Sequence, residues 1–264
     1  MNVNGLTEFD RTTRIIGPNV DFSTANIALG TANTLIAEIT DIAHSVIDVS
    51  GTATPRGTLQ LDFNGHVPQI GDGWDIIDAG SFVGNFASVG LAPGQNLDPG
   101  LGFIVSQSTG GLNGNVANVS LTNKLVLSVN RSTGDVSISN LSGAWIDFDG
   151  YEIGSVGGFL DDGSWNSLQS QTEPGWQSIG APSANLVAEL NSGSSSVLTG
   201  DQSSDLGSLS DFTPSSLGEN GDDITFQYSL ASGETIDGII QYEGNQNNLV
   251  LVVDPTSGDS VLQN

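Results

Sequence analysis

The chain has 264 residues and no cysteine, which excludes disulfides, thiolate metal sites and thiol nucleophiles. Thirty Asp and Glu residues against five Lys and Arg residues give a net charge of −25, and such a surface repels nucleic acid and anionic lipid. We therefore expect no nucleic acid binding. No apolar run approaches the roughly 18 residues of a membrane helix, so we also expect no membrane insertion.

Residues 1–123 are predicted to form a first β region. The chain carries 35 glycines, and here short apolar alternations recur between them, which is typical of short strands joined by turns. The strands recur every ten to fourteen residues or so, a spacing that suits either the rungs of a β-solenoid or a meander. The predicted strands cover residues 20–22, 34–39, 44–49, 58–63, 74–77 and 116–121, and residues 91–100 form a surface loop.

Three glycine-marked segments of this region carry a family resemblance. They are GTLQLDF at 57–63, GDGWDIIDA at 71–79 and GNF at 84–86. This series resembles the closing rungs of bacterial autotransporter-like and other extracellular β-helix repeat proteins, where it caps the stack of strands. The resemblance implies that residues 19–123 or so form a capped stack of this kind.

Residues 124–248 are predicted to form a second β region, an antiparallel β-sandwich. Alternating apolar residues and a Gly134–Asp135 turn indicate a hairpin over 125–140. The chain is thus expected to be all-β, with a short solenoid-like or meandering part followed by a sandwich. Further strands are predicted at 145–148, 151–153, 186–190, 224–230 and 236–242, with a serine-rich loop over 192–216 that includes a strand near 197–198.

An ordered series of motifs follows the hairpin. It comprises GYEI at 150–153, GSWNSL at 163–168, GW at 175–176 and FQY at 226–228. The series is similar to an uncharacterised β-sandwich module found near the C-terminal end of large exported bacterial proteins, often behind solenoid repeats. That resemblance implies an extracellular or cell-surface location and no known activity.

The last sixteen residues repeat an earlier segment of the chain. Residues 125–140 align without gaps on residues 249–264, and both segments share a Gly-Asp turn. Residues 249–264 therefore read as the start of a second copy of the module. Three outcomes are open for them: they supply a final strand of the sandwich, they lie disordered, or they add to a neighbouring molecule by strand complementation. The final-strand alternative is favoured, because residues 246–248 can form a tight turn; the candidate assembly strand is Leu249, Val250, Leu251, Val252 and Val253.

Three acidic residues form a candidate calcium site. Asp147 and Asp149 point the same way from a strand, and Glu152 follows shortly after. Carboxylate oxygens suit calcium, but the spacing does not match an EF-hand loop. A solvated acidic strand edge is the alternative, so no cofactor is expected apart from calcium.

Four aromatic residues form a candidate glycan-binding platform. Aromatic faces stack on sugar rings, and an acidic module suits neutral rather than anionic glycans. The alternative is that two or three of these residues anchor the core of the sandwich. The residues are Trp145, Tyr151, Trp165 and Trp176.

No motif indicates catalysis. Asp72, Asp75 and Asp78 form an acidic cluster, but paired carboxylates are common by chance in so acidic a chain. Neither His44 nor His66 has metal-binding spacing, and no G-x-S-x-G motif occurs. The sequence favours a non-catalytic structural or adhesive segment of an extracellular bacterial surface protein that self-associates; the alternative is a carbohydrate-binding module of an extracellular glycan-degrading enzyme.

Overall fold

The computed structural model describes residues 2–15, 20–40, 44–211, 221–244, 250–253 and 255–263. Within these ranges every regular element is a strand, which confirms the predicted all-β fold. The described residues accordingly contain no helix that is long and apolar enough to cross a membrane. The chain divides into two compact units, Met1–Asn123 and Lys124–Asn264.

The described residues of the first unit form ten strands. Their inward side chains are mostly aliphatic, and glycines mark most of the turns between them. The strands are β1 (Asn2–Phe9), β2 (Thr13–Ile15), β3 (Phe22–Leu29), β4 (Thr34–Ile39), β5 (Ile47–Thr54), β6 (Thr58–Phe63), β7 (Gly73–Phe82), β8 (Ser88–Leu91), β9 (Leu101–Gly110) and β10 (Gly114–Asn123).

The first eight strands form a two-sheet solenoid. Strands β1, β3, β5 and β7 stack in parallel in one sheet, and β2, β4, β6 and β8 stack in parallel in the other. Because the chain alternates between the sheets, each rung contributes one strand to each. The register places apolar residues of successive rungs side by side: Leu35 lies beside Leu59, and Ala37 lies beside Leu61.

Close backbone contact between rungs requires glycine at one corner of the solenoid. A Cβ atom at Gly51 would lie 2.6 Å from the carbonyl oxygen of Ala25, and one at Gly80 would lie 2.9 Å from that of Gly51. The register of β3, β5 and β7 shifts at this corner, where the Asn26 side chain accepts a 2.8 Å hydrogen bond from the Thr52 N–H. The spaced glycines therefore set the stacking as well as the turns.

An antiparallel hairpin closes the larger sheet of the solenoid. Strand β10 pairs with both β7 and β9 in antiparallel fashion, so the parallel stack ends there. Its turn is held by Asp78, whose carboxylate accepts the N–H groups of Leu112 and Asn113 at 2.5 and 3.0 Å. Under this cap Trp74 is 1% exposed and contacts the Phe63 ring, with the centroids 5.1 Å apart.

Twelve strands are formed by the part of the second unit that the structure describes. Leu186–Asn191 and most of the other longer strands alternate buried and exposed residues, as the predicted sandwich requires. The strands are β11 (Val126–Asn130), β12 (Val136–Asn140), β13 (Ile146–Ser155), β14 (Trp176–Ser178), β15 (Leu186–Asn191), β16 (Ser196–Leu198), β17 (Gln202–Asp205), β18 (Ile224–Leu230), β19 (Thr235–Asp237), β20 (Ile239–Glu243), β21 (Val250–Val253) and β22 (Ser260–Gln263).

The described strands of this unit form two sheets and one separate hairpin. The four-stranded sheet has the order β17-β12-β11-β20, and the six-stranded sheet has the order β14-β15-β13-β18-β19, with β16 also paired to β13. The sheets approach each other where the Tyr228 hydroxyl of β18 accepts a 3.3 Å hydrogen bond from the Leu125 N–H beside β11. The six-stranded sheet is antiparallel throughout, whereas β11 and β20 pair in parallel.

The chain crosses from one sheet to the other at Gly238. The sequence predicted one strand over 236–242, but the structure has β19 in the six-stranded sheet and β20 in the four-stranded sheet. A Cβ atom at Gly238 would lie 2.1 Å from the ring of buried Phe226, so only glycine fits at the crossing.

Candidate functional site

The repeated segment folds into the same hairpin twice. The β11–β12 hairpin and the β21–β22 hairpin have identical registers, in which each pair of the second lies 124 positions after its counterpart in the first. The matching pairs are Val126–Ser139 with Val250–Gln263, Leu127–Ile138 with Leu251–Leu262, Ser128–Ser137 with Val252–Val261, and Val129–Val136 with Val253–Ser260.

The two turns also match in their local geometry. Gly134 and Gly258 both have a φ of 78°, a left-handed value that favours glycine. In the first turn the Asp135 N–H donates to the Thr133 hydroxyl at 3.3 Å, and in the second the Asp259 N–H donates to the Ser257 hydroxyl at 3.2 Å. The sequence repeat is therefore also a repeat of backbone structure.

The two hairpins differ in their neighbours. Strand β11 lies between β12 and β20, and β12 also pairs with β17, whereas β21 and β22 pair only with each other among the described strands. The candidate assembly strand therefore does not extend either sheet of the second unit, contrary to the favoured final-strand alternative. Of its five residues, Leu249 lies outside the described residues, and the other four form β21.

The second hairpin also exposes apolar side chains. Where the first has the cross-strand pair Ser128–Ser137, the second has Val252–Val261, whose side chains are 45% and 57% exposed. Val253, the next residue along β21, is 53% exposed. A two-stranded hairpin that pairs with no other described strand and exposes apolar side chains is marginally stable in water.

An anchor of the first hairpin is missing from the second. Arg131 donates to both carboxylate oxygens of Asp222, at 2.9 and 2.6 Å, and its guanidinium lies 4.6 Å from the centroid of the Tyr242 ring. The hydrogen bonds to Asp222 raise the pKa of Arg131. Pro255 occupies the position equivalent to Arg131, so the second hairpin lacks the side chain that makes this ion pair.

The three residues of the candidate calcium site are not gathered into one cluster. All three lie on β13, but a bulge follows Phe148, and Asp149 accepts a hydrogen bond from the Ser229 hydroxyl. Asp147 and Glu152 are exposed. Across the described residues, no three His, Asp or Glu side chains are placed to hold a metal ion.

The four residues of the candidate glycan platform are placed in different environments. Tyr151 and Trp176 are each 3% exposed, with ring centroids 5.9 Å apart inside the unit. Trp165 is half-buried, and Trp145 alone is fully on the surface, at 79% exposed. Two of the four are therefore core residues and do not offer their faces to a ligand.

The three carboxylates of the acidic cluster, Asp72, Asp75 and Asp78, accept hydrogen bonds that stabilise the first unit. Asp72 accepts the Gln69 N–H at 2.8 Å and lies 3.1 Å from a ring nitrogen of His66. Asp75 accepts from the Asn118 side chain at 2.7 Å, and Asp78 holds the cap. Each carboxylate is thus engaged in a separate turn or strand contact.

One buried carboxylate was not identified from the sequence. Glu189 of β15 is 2% exposed and accepts the N–H groups of Leu168 and Gln169 at 2.7 and 2.8 Å, together with the Tyr151 hydroxyl. Burial, followed by the nearby Glu189 charge, raises the pKa of Tyr151. An acidic residue at an inward position of an alternating strand would have indicated such a buried carboxylate. The strand Leu-Val-Ala-Glu-Leu-Asn has apolar residues on both faces, so the sequence does not show which face points inward.

Comparison with known proteins adds no identification. No family model, curated protein or solved structure matches the chain.

Proposed function

We propose that this chain is a non-catalytic structural and adhesive segment of an extracellular bacterial surface protein. The observation that carries the proposal is the repeated hairpin, which has the backbone of a sheet component but lies outside both sheets of its unit. In this proposal β21–β22 adds to a second copy of the chain by strand complementation, and the solenoid serves as a stiff spacer.

Two further features support this proposal. The carboxylates of the acidic cluster, Asp72, Asp75 and Asp78, accept hydrogen bonds within turns, the cap and strand contacts, as expected of groups with a structural role. The absence of cysteine and the net charge of −25 also suit an exported protein that stays dispersed until a specific contact forms.

The test compares self-association of three chains by sedimentation velocity and electron microscopy. The full chain is expected to form dimers or filaments as its concentration rises, and a chain that ends at Asn248 is expected to remain monomeric. The double variant Val252→Thr/Val261→Thr removes apolar contact from one face of the hairpin and is expected to weaken association by about tenfold or more.

A matched control is Val67→Thr, since Val67 is 73% exposed in the other unit. This variant should assemble like the full chain. If the chain that ends at Asn248 assembles as well as the full chain, the hairpin is not the assembly element.

A further inference from the structure

A groove crosses the outward face of the six-stranded sheet. It follows the central strand β13, is broadly open to solvent, and has a volume of about 360 Å³. The side chains of Leu190 and Ser229 reach over Gly150 from its two sides, and the floor is low beside Ala188, which pairs with Glu152.

The groove has one aliphatic wall and one polar wall. The aliphatic wall consists of Leu190 and Ile179, whose side chains are 41% and 53% exposed. Gln227, Ser229 and Thr235 line the opposite side. The Glu152 side chain, exposed to solvent, stands between the walls.

Residues outside the groove hold its polar wall in place. Gln227 donates a 2.6 Å hydrogen bond to Asp237, and Ser229 donates to Asp149. Each bond fixes a side chain that retains further hydrogen-bonding capacity toward the groove. Such preorganisation lowers the entropic cost of binding a ligand.

From this geometry we infer that the groove binds an uncharged oligosaccharide. None of the residues that line it is cationic, so an anionic ligand would meet only Glu152 and an acidic surface. The amide of Gln227 and the hydroxyl of Thr235 offer donors as well as acceptors, which matches sugar hydroxyls better than an ammonium group, which can only donate. The aliphatic wall suits the C–H face of a sugar ring.

This inference deepens the adhesive part of the proposed function by giving it a ligand class and a site. It differs from the platform predicted from the sequence, because it uses the outward face of β13, β15 and β18 instead of the aromatic faces of Trp145, Tyr151, Trp165 and Trp176.

The test is calorimetric titration of the full chain with cellohexaose, xylohexaose and mannohexaose, alongside polygalacturonate and hexalysine. At least one neutral oligosaccharide is expected to bind. The variant Glu152→Gln is expected to weaken that binding by about tenfold, because the loss of charge weakens the hydrogen bonds from sugar hydroxyls. Ala188→Phe fills the floor and is expected to abolish it.

The matched controls change exposed residues of the same unit outside the groove. Asp162→Asn removes a charge as Glu152→Gln does, and Ala181→Phe adds the same ring as Ala188→Phe; both should bind like the unaltered chain. Circular dichroism and thermal melts confirm that every variant is folded.

Three results would overturn the inference: no binding of any neutral oligosaccharide, binding of hexalysine alone, or neutral binding that survives both Glu152→Gln and Ala188→Phe. None of these results bears on the truncation at Asn248, so failure of the groove and failure of hairpin assembly are distinguishable.

Discussion

At the scale of single residues, two buried groups organise the second unit. Glu189 accepts three hydrogen bonds inside the unit. The Tyr228 hydroxyl connects the two sheets by accepting a hydrogen bond from the Leu125 N–H. Burying a charge or a hydroxyl is costly unless its hydrogen bonds are made, so each group should be sensitive to a change that removes only its polar atoms.

Replacement of Glu189 by glutamine should destabilise the second unit. The amide keeps the shape, but its NH2 group replaces one carboxylate oxygen and so faces the N–H donor of either Leu168 or Gln169, and we expect the free energy of unfolding to fall by about 2–3 kcal/mol. Urea denaturation measures this loss. Glu173→Gln, an exposed change in the same loop region, is the control, and an equal effect of the two variants would show that the buried hydrogen bonds contribute little.

Tyr228 should make the protein sensitive to alkali. Burial raises the pKa of Tyr228 to about 12, whereas an unfolded chain ionises near 10. The unfolded state therefore releases its proton first, and the stabilisation, complete below pH 10 or so, is lost as the pH rises toward 12.

The variant Tyr228→Phe tests this assignment. It should lower the melting temperature at neutral pH, because the Leu125 N–H loses its acceptor, yet the further fall between about pH 10 and 12 should be smaller than in the unaltered chain. Thermal melts across this range provide the measurement. Parallel pH profiles for the two chains would contradict it.

At the scale of elements, sequence patterns identified several of the strands that bury one face, but the strand predicted at 20–22 is wrong in its bounds, because β3 runs over Phe22–Leu29. Strands β4 and β6 have the bounds predicted, since both alternate and both stack between neighbouring rungs. Strands β9 and β17 were missed because they are edge strands: β9 buries only Phe103, and Gln202–Asp205 is polar throughout. The groove could not be predicted because strands distant in sequence supply its walls.

The crossing at Gly238 should not tolerate a larger residue. Gly238→Ala places a methyl group against Phe226, which is 3% exposed and has no room to move, so we expect a loss of about 1–3 kcal/mol. Gly143→Ala is the control, because a Cβ atom there meets nothing within 4 Å. Chemical denaturation of both variants checks the difference, and equal stabilities would mean that the crossing relaxes freely.

At the scale of the whole molecule, charge opposes the proposed assembly. Each chain carries a net charge of −25, and the repulsion between copies extends over about 30 Å at 0.01 M salt but only about 8 Å at 0.15 M. Apolar contacts at the hairpin are not screened in this way. Self-association should therefore strengthen as salt is added, and sedimentation that shows dissociation at the higher salt concentration would point to ion pairs at the interface instead.

Hydrogen–deuterium exchange at several protein concentrations tests hairpin assembly most directly. If β21–β22 pairs with a second copy, amide protection in 250–253 and 260–263 should rise with concentration, while protection in 126–130 stays constant because β11 already lies between two strands. Exchange in the second hairpin that is fast and unchanged at every concentration would contradict assembly through this hairpin.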